Sequence, residues 1–279
     1  MILEETIKQG SQILREKKIT SYELDAQIIL SEIMGVTKEY LLLNNNLNLN
    51  ETILNKYKVA IKRRMNREPV AYITGKKEFW SRDFFINRST LIPRPESELL
   101  IYKIVKYYKN KSINILDIGT GSGCILLSIL KELNHSRGLG IDISAKAIRV
   151  AKQNSKKLNL FNRSKFRVSD INNFNFGMFD LIVSNPPYIP LKDLRNLSKD
   201  IINFEPIIAL NGGNDGLDLI KKVIYKSTKL LKKSGLFALE IGTQQYLKVS
   251  ILLNKYGFKE IGKECDYNRN VRCIISTKV

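Results

Sequence analysis

The first part of the chain places apolar side chains three or four positions apart, as one face of a helix requires. This spacing recurs in residues 2–14, 24–33 and 53–61. Thr20 and Glu23 have the spacing of a capping box at the start of the second helix, and Gly35 is suited to end that helix. Asn50 is suited to cap the next long helix. The pattern predicts a small helical bundle over residues 1–72.

Beyond this bundle the pattern becomes extended and then alternates between strand and helix. Residues 79–86 are rich in aromatic side chains, which predicts a β-hairpin linker within residues 73–90. Apolar runs typical of buried strands then lie at residues 113–118, 139–143, 166–169, 179–183 and 235–241, near Phe258, and at residues 271–276. Because helical stretches separate them, we predict an α/β domain over residues 91–279 with a Rossmann-like, mostly parallel seven-stranded sheet. The last strands should form an antiparallel edge.

Length and composition agree with one α/β domain and a smaller companion. The chain has 279 residues, and 43% of them are hydrophobic, which is enough for a sizeable core. No apolar run is long enough to span a bilayer. Glu4, Glu5 and Lys8 interrupt the first apolar stretch and argue against a signal peptide, so we expect a cytoplasmic protein without membrane contact.

Cysteine and histidine usage limits the possible chemistry. Cys124, Cys265 and Cys273 are odd in number and lack metal-like spacing, so we expect them to be reduced and buried. His135 is the single histidine. A metal site and Ser-His catalysis are therefore disfavoured.

The net charge of +19 has two interpretations. A basic protein can bind nucleic acid, so contact with RNA or DNA is possible but not required. Lysine outnumbers arginine and is spread along the whole chain together with many asparagines and isoleucines. That distribution favours a bias in codon composition over selection for a nucleic-acid partner.

The most informative chemistry lies in residues 185–188, directly after the apolar run at residues 179–183. Pro186 and Pro187 cannot extend a strand, so they form a stiff corner at its carboxyl end. The Asn185 side-chain oxygen, the Pro186 carbonyl and the ring of Tyr188 together suit a planar NH2 group on an sp2 carbon. A glutamine amide and the amines of adenine and guanine all qualify. An exposed Asn-Pro turn is the alternative.

A glycine-rich loop follows the first predicted strand of the α/β domain and precedes an apolar helix. The loop consists of Gly119, Thr120, Gly121, Ser122 and Gly123. Asp117 precedes these glycines, which distinguishes the loop from the dinucleotide-binding motif. Asp142 ends the next strand, where a carboxylate can accept the hydroxyls of a ribose. Asp170 ends the third strand and could hold an adenine amine with Ile171 against the ring; each acid could instead be a strand-end cap.

Taken together, the glycine loop, Asp142, Asp170 and residues 185–188 resemble S-adenosylmethionine-dependent methyltransferases that modify exocyclic or amide nitrogens. Further motifs are similar to the HemK/PrmC family, which methylates the glutamine in the Gly-Gly-Gln motif of bacterial peptide-chain release factors. These motifs lie at residues 68–75, 78–80, 91–98 and 204–206, at Asp266 and Tyr267, and at Arg272. The Pro93-Arg94-Pro95-Glu96 stretch differs from the Pro-Arg-Ser-Pro of a sibling family that acts on a ribosomal protein.

The resemblance implies a release factor as partner and S-adenosylmethionine as cofactor. Asn185, Pro186 and Tyr188 would be catalytic, and Pro187 would join them in binding the substrate. The cofactor would contact the glycine loop, Asp142, Asp170, Ile171 and Asn185. Ile171 departs from the family, which often has an aromatic residue there. The helical bundle would recognise the partner, and an RNA or DNA exocyclic-amine methyltransferase with the same corner remains the alternative.

Three arginines lie in or near these motifs and in the helical bundle. The prolines on both sides of Arg94 hold it extended, which could direct its guanidinium at a carboxylate or brace the neighbouring loop. Arg64 and Arg67 are expected to be surface charges of the helical bundle.

Overall fold

The structure is a computed structural model that describes residues 1–279. The chain forms two compact units. The helical unit comprises Met1–Lys76 and Ser198–Phe204, and the α/β unit comprises Lys77–Leu197 and Glu205–Val279. The first boundary therefore lies within the hairpin segment predicted for residues 73–90. Ser198–Phe204 had been assigned to the α/β domain from the sequence, but it packs as part of the helical unit.

The helices are, in chain order, α1 (Leu3–Glu16), α2 (Tyr22–Met34), α3 (Lys38–Leu43), α4 (Glu51–Met65), α5 (Val70–Thr74), α6 (Glu98–Tyr107), α7 (Cys124–Glu132), α8 (Ala145–Lys157), α9 (Lys199–Ile202), α10 (Asp218–Leu230) and α11 (Tyr246–Lys255). The strands are β1 (Lys76–Phe79), β2 (Arg82–Phe85), β3 (Asn114–Ile118), β4 (Arg137–Asp142), β5 (Ser164–Val168), β6 (Phe179–Ser184), β7 (Leu231–Glu240), β8 (Phe258–Cys265) and β9 (Val271–Lys278). None of the helices is long and apolar enough to cross a membrane.

Two of the three predicted helix ends are confirmed. Asn50 caps α4 because its Oδ1 accepts a hydrogen bond from the Ile53 backbone N–H at 2.9 Å. Gly35 ends α2 in the left-handed conformation. The capping box is wrong, because α2 begins at Tyr22 and Ser21 makes no side-chain cap. The Ser21 hydroxyl donates instead to Asp25, at 2.8 Å, and Asp25 belongs to a buried ion pair.

That ion pair corrects the expectation for Arg64. Its guanidinium is buried in the helical unit, 2.7 Å from a carboxylate oxygen of Asp25 and 2.7 Å from one of Asp200. Two carboxylates compensate a buried arginine that would otherwise lose its hydration. Arg67 is partly exposed and donates to the backbone carbonyls of Lys17 and Lys18. Asp200 lies in α9, so this cluster joins Ser198–Phe204 to the α4 helix of the same unit.

The predicted β-hairpin is confirmed as the two-stranded sheet of β1 and β2. Its two turn residues, Trp80 and Ser81, both have positive φ angles, 52° and 54°, as the tightest hairpin turns require. The Trp80 backbone N–H donates to Glu98 at 2.7 Å, and its indole N–H donates to Glu132 at 2.9 Å. These two carboxylates hold a turn that neither residue favours by itself.

The second sheet has the predicted seven strands, in the order β5-β4-β3-β6-β7-β9-β8. The first five are parallel, and β9 runs antiparallel to both of its neighbours. One face packs against α6, α7 and α8, and the other packs against α10 and α11. The chain winds outward in opposite directions from β3 and β6, so the gap between their carboxyl ends is where this fold binds ligands.

Two details of the sheet differ from the sequence prediction. Strand β7 begins at Leu231, four positions before the predicted start at Gly235, and a register irregularity accompanies it where β6 begins. All three cysteines are free, but Cys265 is exposed and Cys124 only half-buried. Cys265 ends the edge strand β8, in which buried and exposed positions alternate, so solvent reaches one of its faces.

Candidate active site

A cavity of about 440 Å³ lies at the carboxyl ends of the parallel strands. Its size is ordinary for a cofactor or substrate site. Most of the predicted site residues line it, namely Gly119, Thr120, Gly121, Ser122, Asp142, Asp170, Ile171, Asn185, Pro186 and Pro187. Gly123 and Tyr188 are not among its lining residues. The two strands that flank the gap are paired up to Ile118 and Ser184, so the glycine loop and Asn185 leave the sheet side by side.

The glycine loop is built for close approach by a ligand. Gly119 and Gly121 have φ angles of +73° and +55°, which favour glycine. A Cβ at Gly119 would meet no heavy atom within 4 Å, and one at Gly121 would meet only a backbone oxygen at 4.0 Å. The open side of the loop thus offers room for a group lying against its backbone. Gly123 serves packing instead, because its Cβ would lie 3.2 Å from Ala151 and Leu127.

Asp142 links the loop to the end of β4. One carboxylate oxygen accepts from the Gly121 backbone N–H at 2.9 Å, and the other accepts from the Ser144 N–H at 2.8 Å. Burial raises the pKa of the Asp142 carboxyl, while these backbone donors oppose the rise. The carboxylate is therefore fixed in orientation at the wall of the cavity, and its remaining lone pairs can accept two hydroxyl groups.

Asp117, at the root of the loop, is buried and only half satisfied. Its Oδ2 accepts from the Thr120 hydroxyl at 2.6 Å, but its Oδ1 has no partner. Burial raises the pKa of Asp117 to about 7. Asp117 does not line the cavity, so it holds the glycine loop from beneath through Thr120. The open loop and Asp142 at the cavity wall fit the cofactor that the sequence predicted.

The third acid serves partly as a cap. Asp170 Oδ1 accepts from the backbone and side-chain N–H groups of Asn172, at 2.8 and 2.9 Å, at the start of a short 3-10 turn. Asp170 Oδ1 therefore acts as the strand-end cap that was one of the two predicted roles. The residue also borders the cavity. Ile171 is buried in the core and contributes one edge to the cavity wall. It supplies an apolar surface at the position where related proteins often have an aromatic residue.

The acceptor corner begins where β6 ends. The Asn185 side-chain N–H donates to the Ser97 hydroxyl at 3.1 Å, and its Oδ1 accepts no hydrogen bond from the protein. Since Asn185 lines the cavity, an unused amide oxygen borders the open space. The proline pair then follows on the cavity wall, as the sequence predicted for a stiff corner.

Tyr188 is tied into the protein by its hydroxyl. That hydroxyl lies 3.3 Å from Glu240 and accepts from Arg272 at 3.0 Å. The Arg272 guanidinium also lies 5.5 Å from the ring centroid, within range of a cation–π contact. Burial is the main cause that raises the pKa of Tyr188, so the hydroxyl stays protonated. The motif resemblance had included Arg272 without assigning a contact to it.

A second glycine-rich segment, residues 211–216, packs on the acceptor corner. The Gly212 N–H donates to the Ile189 carbonyl at 2.9 Å, and Gln245 donates to the Tyr188 carbonyl at 2.9 Å. A Cβ at Gly212 would lie 2.8 Å from the backbone of Tyr188 and from that of Gly216. Glycine is needed here because two backbones approach too closely for a side chain.

Gly212→Ala should therefore lower the free energy of unfolding by about 1–3 kcal/mol, the usual effect of forcing a methyl group into a packed site. Gly262→Ala is the matched control, because a Cβ at Gly262 meets no atom within 4 Å. Urea denaturation of both variants checks the difference. Equal stability of the two variants would show that the segment can move away from the corner without cost.

Arg94 contacts a carboxylate, which was one of the two roles considered for it. Its guanidinium lies 2.6 Å from Glu205, whose other oxygen accepts from the Ile92 N–H at 3.1 Å. Arg94 also lines the cavity. The ion pair therefore fixes the segment before α6 to the residues that precede Pro206.

Two residues beside the acceptor corner, Ser97 and Glu240, were not predicted from the sequence. Glu240 is fully buried at the end of β7, next to β6 in the sheet, and accepts from the Ser97 hydroxyl at 2.5 Å. A carboxylate that ends an otherwise apolar strand was a usable signal for Glu240. Ser97 had no such signal, since its role depends on a partner 143 positions away.

Burial is the main cause that raises the pKa of Glu240 from 4.5 to about 7. Between these values the folded protein holds a proton that the unfolded chain has released. The bound proton therefore stabilises the folded protein fully below the pKa that Glu240 has in the unfolded chain. This contribution is lost as the pH rises through the pKa that Glu240 has in the folded protein. Glutamine does not titrate, so Glu240→Gln removes this loss. The free energy of unfolding of the variant, relative to that of the wild type, should therefore be larger at about pH 8 than at about pH 5. Denaturant unfolding at both pH values measures this; an unchanged difference would contradict the shifted pKa.

Comparisons with known proteins bear on the family of the chain. A family model described as PrmC N-terminal domain matches residues 5–75, and one described as a methyltransferase domain matches residues 109–278. The chain is 36% identical over 282 residues to a release factor glutamine methyltransferase of Clostridium acetobutylicum, covering 100% of this chain and 99% of that protein. A protein of the same name from Buchnera aphidicola is 39% identical over 254 residues, covering 91% and 92%.

Solved structures support the fold. The catalytic domain of hMettl16, crystallised with a 3′UTR hairpin, aligns with a TM-score of 0.59 at 18% identity and covers 84% of each chain. At this level of identity the likeness concerns the fold alone. It agrees with the seven-stranded sheet described above.

Proposed function

The chain belongs to the release factor glutamine methyltransferase family, as its motifs predicted, and we propose that it methylates the glutamine of the Gly-Gly-Gln motif in bacterial peptide-chain release factors. The methyl group would come from S-adenosylmethionine and would be transferred to the side-chain amide nitrogen. One observation carries the proposal. The Asn185 Oδ1 is an unused acceptor on the cavity wall, while its NH2 group is held by Ser97.

The cofactor would be held by the groups at the ends of β3, β4 and β5. The positive-φ backbone of Gly119 and Gly121 would lie against its amino-acid portion, and Asp142 would accept the ribose hydroxyls. Asp170 would accept the adenine amine, with Ile171 against the ring. When bound, S-adenosylmethionine supplies a methyl group that is already activated on a sulfonium.

The protein's part in the reaction would be positioning and electrostatics. An amide nitrogen is a poor nucleophile, because its lone pair is delocalised into the carbonyl. The Asn185 Oδ1 and the Pro186 carbonyl would accept the two amide hydrogens and would interact more strongly as positive charge develops on nitrogen. No general base is required, since the proton can leave to water after the transfer.

The helical unit would provide the docking surface for the partner. A single glutamine offers too little surface for specific recognition, and specific interfaces bury about 1,200–2,000 Å² in total. Exposed apolar side chains of α3, Leu42 and Leu43, are 70% and 84% accessible and suit such a contact. We place the activity in the cytoplasm, where release factors act on ribosomes.

The test is incubation with labelled S-adenosylmethionine and four acceptors. These are a purified release factor, the same factor with its Gly-Gly-Gln glutamine changed to alanine, a short Gly-Gly-Gln peptide, and total RNA. Label should enter the intact factor and be absent from the altered one. The peptide should be methylated with a much lower kcat/KM than the whole factor if the helical unit docks the partner.

Two outcomes would overturn the proposal. Persistent label on the altered factor would mean that another residue is the acceptor. Label on RNA alone would favour an exocyclic amine as the acceptor, and the net charge of +19 would then reflect a nucleic-acid partner.

A further inference from the structure

Five side chains behind the acceptor corner form a continuous hydrogen-bonded chain. The Asn185 NH2 contacts the Ser97 hydroxyl at 3.1 Å, and the Ser97 hydroxyl contacts one oxygen of Glu240 at 2.5 Å. The other Glu240 oxygen lies 3.3 Å from the Tyr188 hydroxyl, which contacts Arg272 at 3.0 Å. Glu240 is fully buried and is the middle member of this chain.

The direction of every hydrogen bond in this chain follows from its end members. The Asn185 NH2 group and the Arg272 guanidinium can only donate, and an ionised carboxylate can only accept. The two hydroxyls must therefore accept from the outside and donate inward to Glu240. Because the amide of Asn185 presents its NH2 to Ser97, its oxygen has to face the other way, toward the cavity.

We propose that Glu240 is a positioning residue for methyl transfer, whose carboxylate sets the polarity that presents the Asn185 oxygen to the acceptor amide. This inference rests on the proposed function of the same site. Glu240 does not line the cavity, so it would act only through Ser97 and Tyr188. Were its acceptor oxygen replaced by a donor on the Ser97 side, the Ser97 hydroxyl would lose the acceptor for its hydrogen and would be free to donate to the Asn185 oxygen. The amide would then rotate and present NH2 to the substrate, where a donor repels the amide hydrogens.

Among the five residues of the hydrogen-bonded chain, Glu240 is the one whose pKa lies near neutral pH. Several other ionisable groups surround it. These groups are Glu96 on the same turn as Ser97, Tyr188 on the corner, Arg272 and Cys273 on β9, and Cys124 on α7. Burial raises the pKa values of Tyr188, Cys273 and Cys124, and that of Cys124 reaches about 12. A protonated Glu240 donates one hydrogen and so loses its acceptor role on one side. The kcat should therefore fall as the pH decreases through about 7.

The experiment compares Glu240→Gln, Ser97→Ala and the double variant with the wild type, using a whole release factor as substrate. Glutamine has nearly the shape of glutamate, but it can accept on one side only, since its other side donates. Each single variant should lower kcat about ten- to a hundredfold, the loss known for groups that orient metal ligands and expected here for groups that orient the Asn185 amide. KM and the cofactor Kd should change little. The double variant should lose no more than the worse single variant, because both changes act through one chain.

Ser276→Ala is the matched control for Ser97→Ala. Ser276 is a fully buried serine on β9, and its hydroxyl contacts only the Phe237 carbonyl, at 3.4 Å. The kcat of Ser276→Ala should equal that of the wild type. Glu240→Gln should melt at the same temperature as the wild type or higher, because replacing a buried charge by a neutral isostere is often stabilising.

The outcomes separate this inference from the proposed function. If the wild type fails to methylate the release factor, the proposed function fails. If the wild type is active and Glu240→Gln keeps its kcat, the positioning role is overturned while the function stands. The same conclusion follows if the decline of kcat below about pH 7 persists unchanged in Glu240→Gln, since the titrating group would then be another, such as Asp117.

Discussion

Asn185→Ala should lower kcat about a hundred- to a thousandfold, as the loss of one preorganised group that binds developing charge usually does. The Asn185 Oδ1 is the side-chain acceptor of the corner, and no other side chain in the protein occupies it. Its interaction with the acceptor amide would strengthen as nitrogen becomes positive, so the loss concerns the transition state more than the bound substrate. Single-turnover methylation of a whole release factor measures the chemical step directly.

Cofactor affinity provides the control for this prediction. The groups assigned to the ribose and the adenine, Asp142 and Asp170, follow other strands of the sheet and make no hydrogen bond to Asn185. The Kd for S-adenosylmethionine should therefore change by much less than kcat. Asn254→Ala, an exposed change in α11, should leave both quantities unchanged. A parallel loss of kcat and cofactor binding would mean that Asn185 supports the cofactor rather than the acceptor.

Asp142→Ala should weaken S-adenosylmethionine binding about ten- to a hundredfold, because charge-assisted hydrogen bonds to two hydroxyls would be lost. The structure adds a second reason for a large effect. Asp142 also accepts from the backbone N–H groups of Gly121 and Ser144, so its removal frees the middle of the glycine loop. Isothermal titration calorimetry with the whole protein measures the change.

Asp142→Asn separates the two contributions. Asparagine keeps one acceptor oxygen, so it can hold only one of the two backbone donors and loses the negative charge. We expect its affinity to lie between those of the wild type and Asp142→Ala. Unchanged affinity in Asp142→Ala would remove the ribose assignment altogether. A normal melting temperature in both variants is needed to show that the loop change remains local.

Local sequence signals predicted the parts of the site that depend on neighbouring residues. Adjacent prolines at 186 and 187 necessarily end a strand, and glycines at 119 and 121 permit the positive φ angles found there. Because parallel strands end at one edge of the sheet, Asp142 and Asp170 could also be placed at that edge. Each of these inferences needs only a few consecutive residues and the general rule for α/β sheets.

The parts that sequence reasoning missed depend on contacts between distant positions. Ser97 bonds to residues 88 and 143 positions away, and no pattern near Ser97 encodes either contact. Arg64 was expected to be a surface charge, as charged side chains usually are, yet it pairs with Asp200, which lies 136 positions further along the chain. The start of α2 is misplaced for a local reason, since the Ser21 hydroxyl donates to Asp25, four positions further on, and does not cap the helix.

The buried pair of carboxylates around Arg64 also bears on how the protein is made. The helical unit consists of two segments that are distant in the chain, and Ser198–Phe204 is translated long after Met1–Lys76. At about 5–20 residues per second, the ribosome needs roughly 6–25 s to proceed from residue 76 to Asp200. During that interval Arg64 has only Asp25 as a charged partner. The second carboxylate of the Arg64 cluster therefore becomes available only after four of the five parallel strands of the α/β unit have been translated.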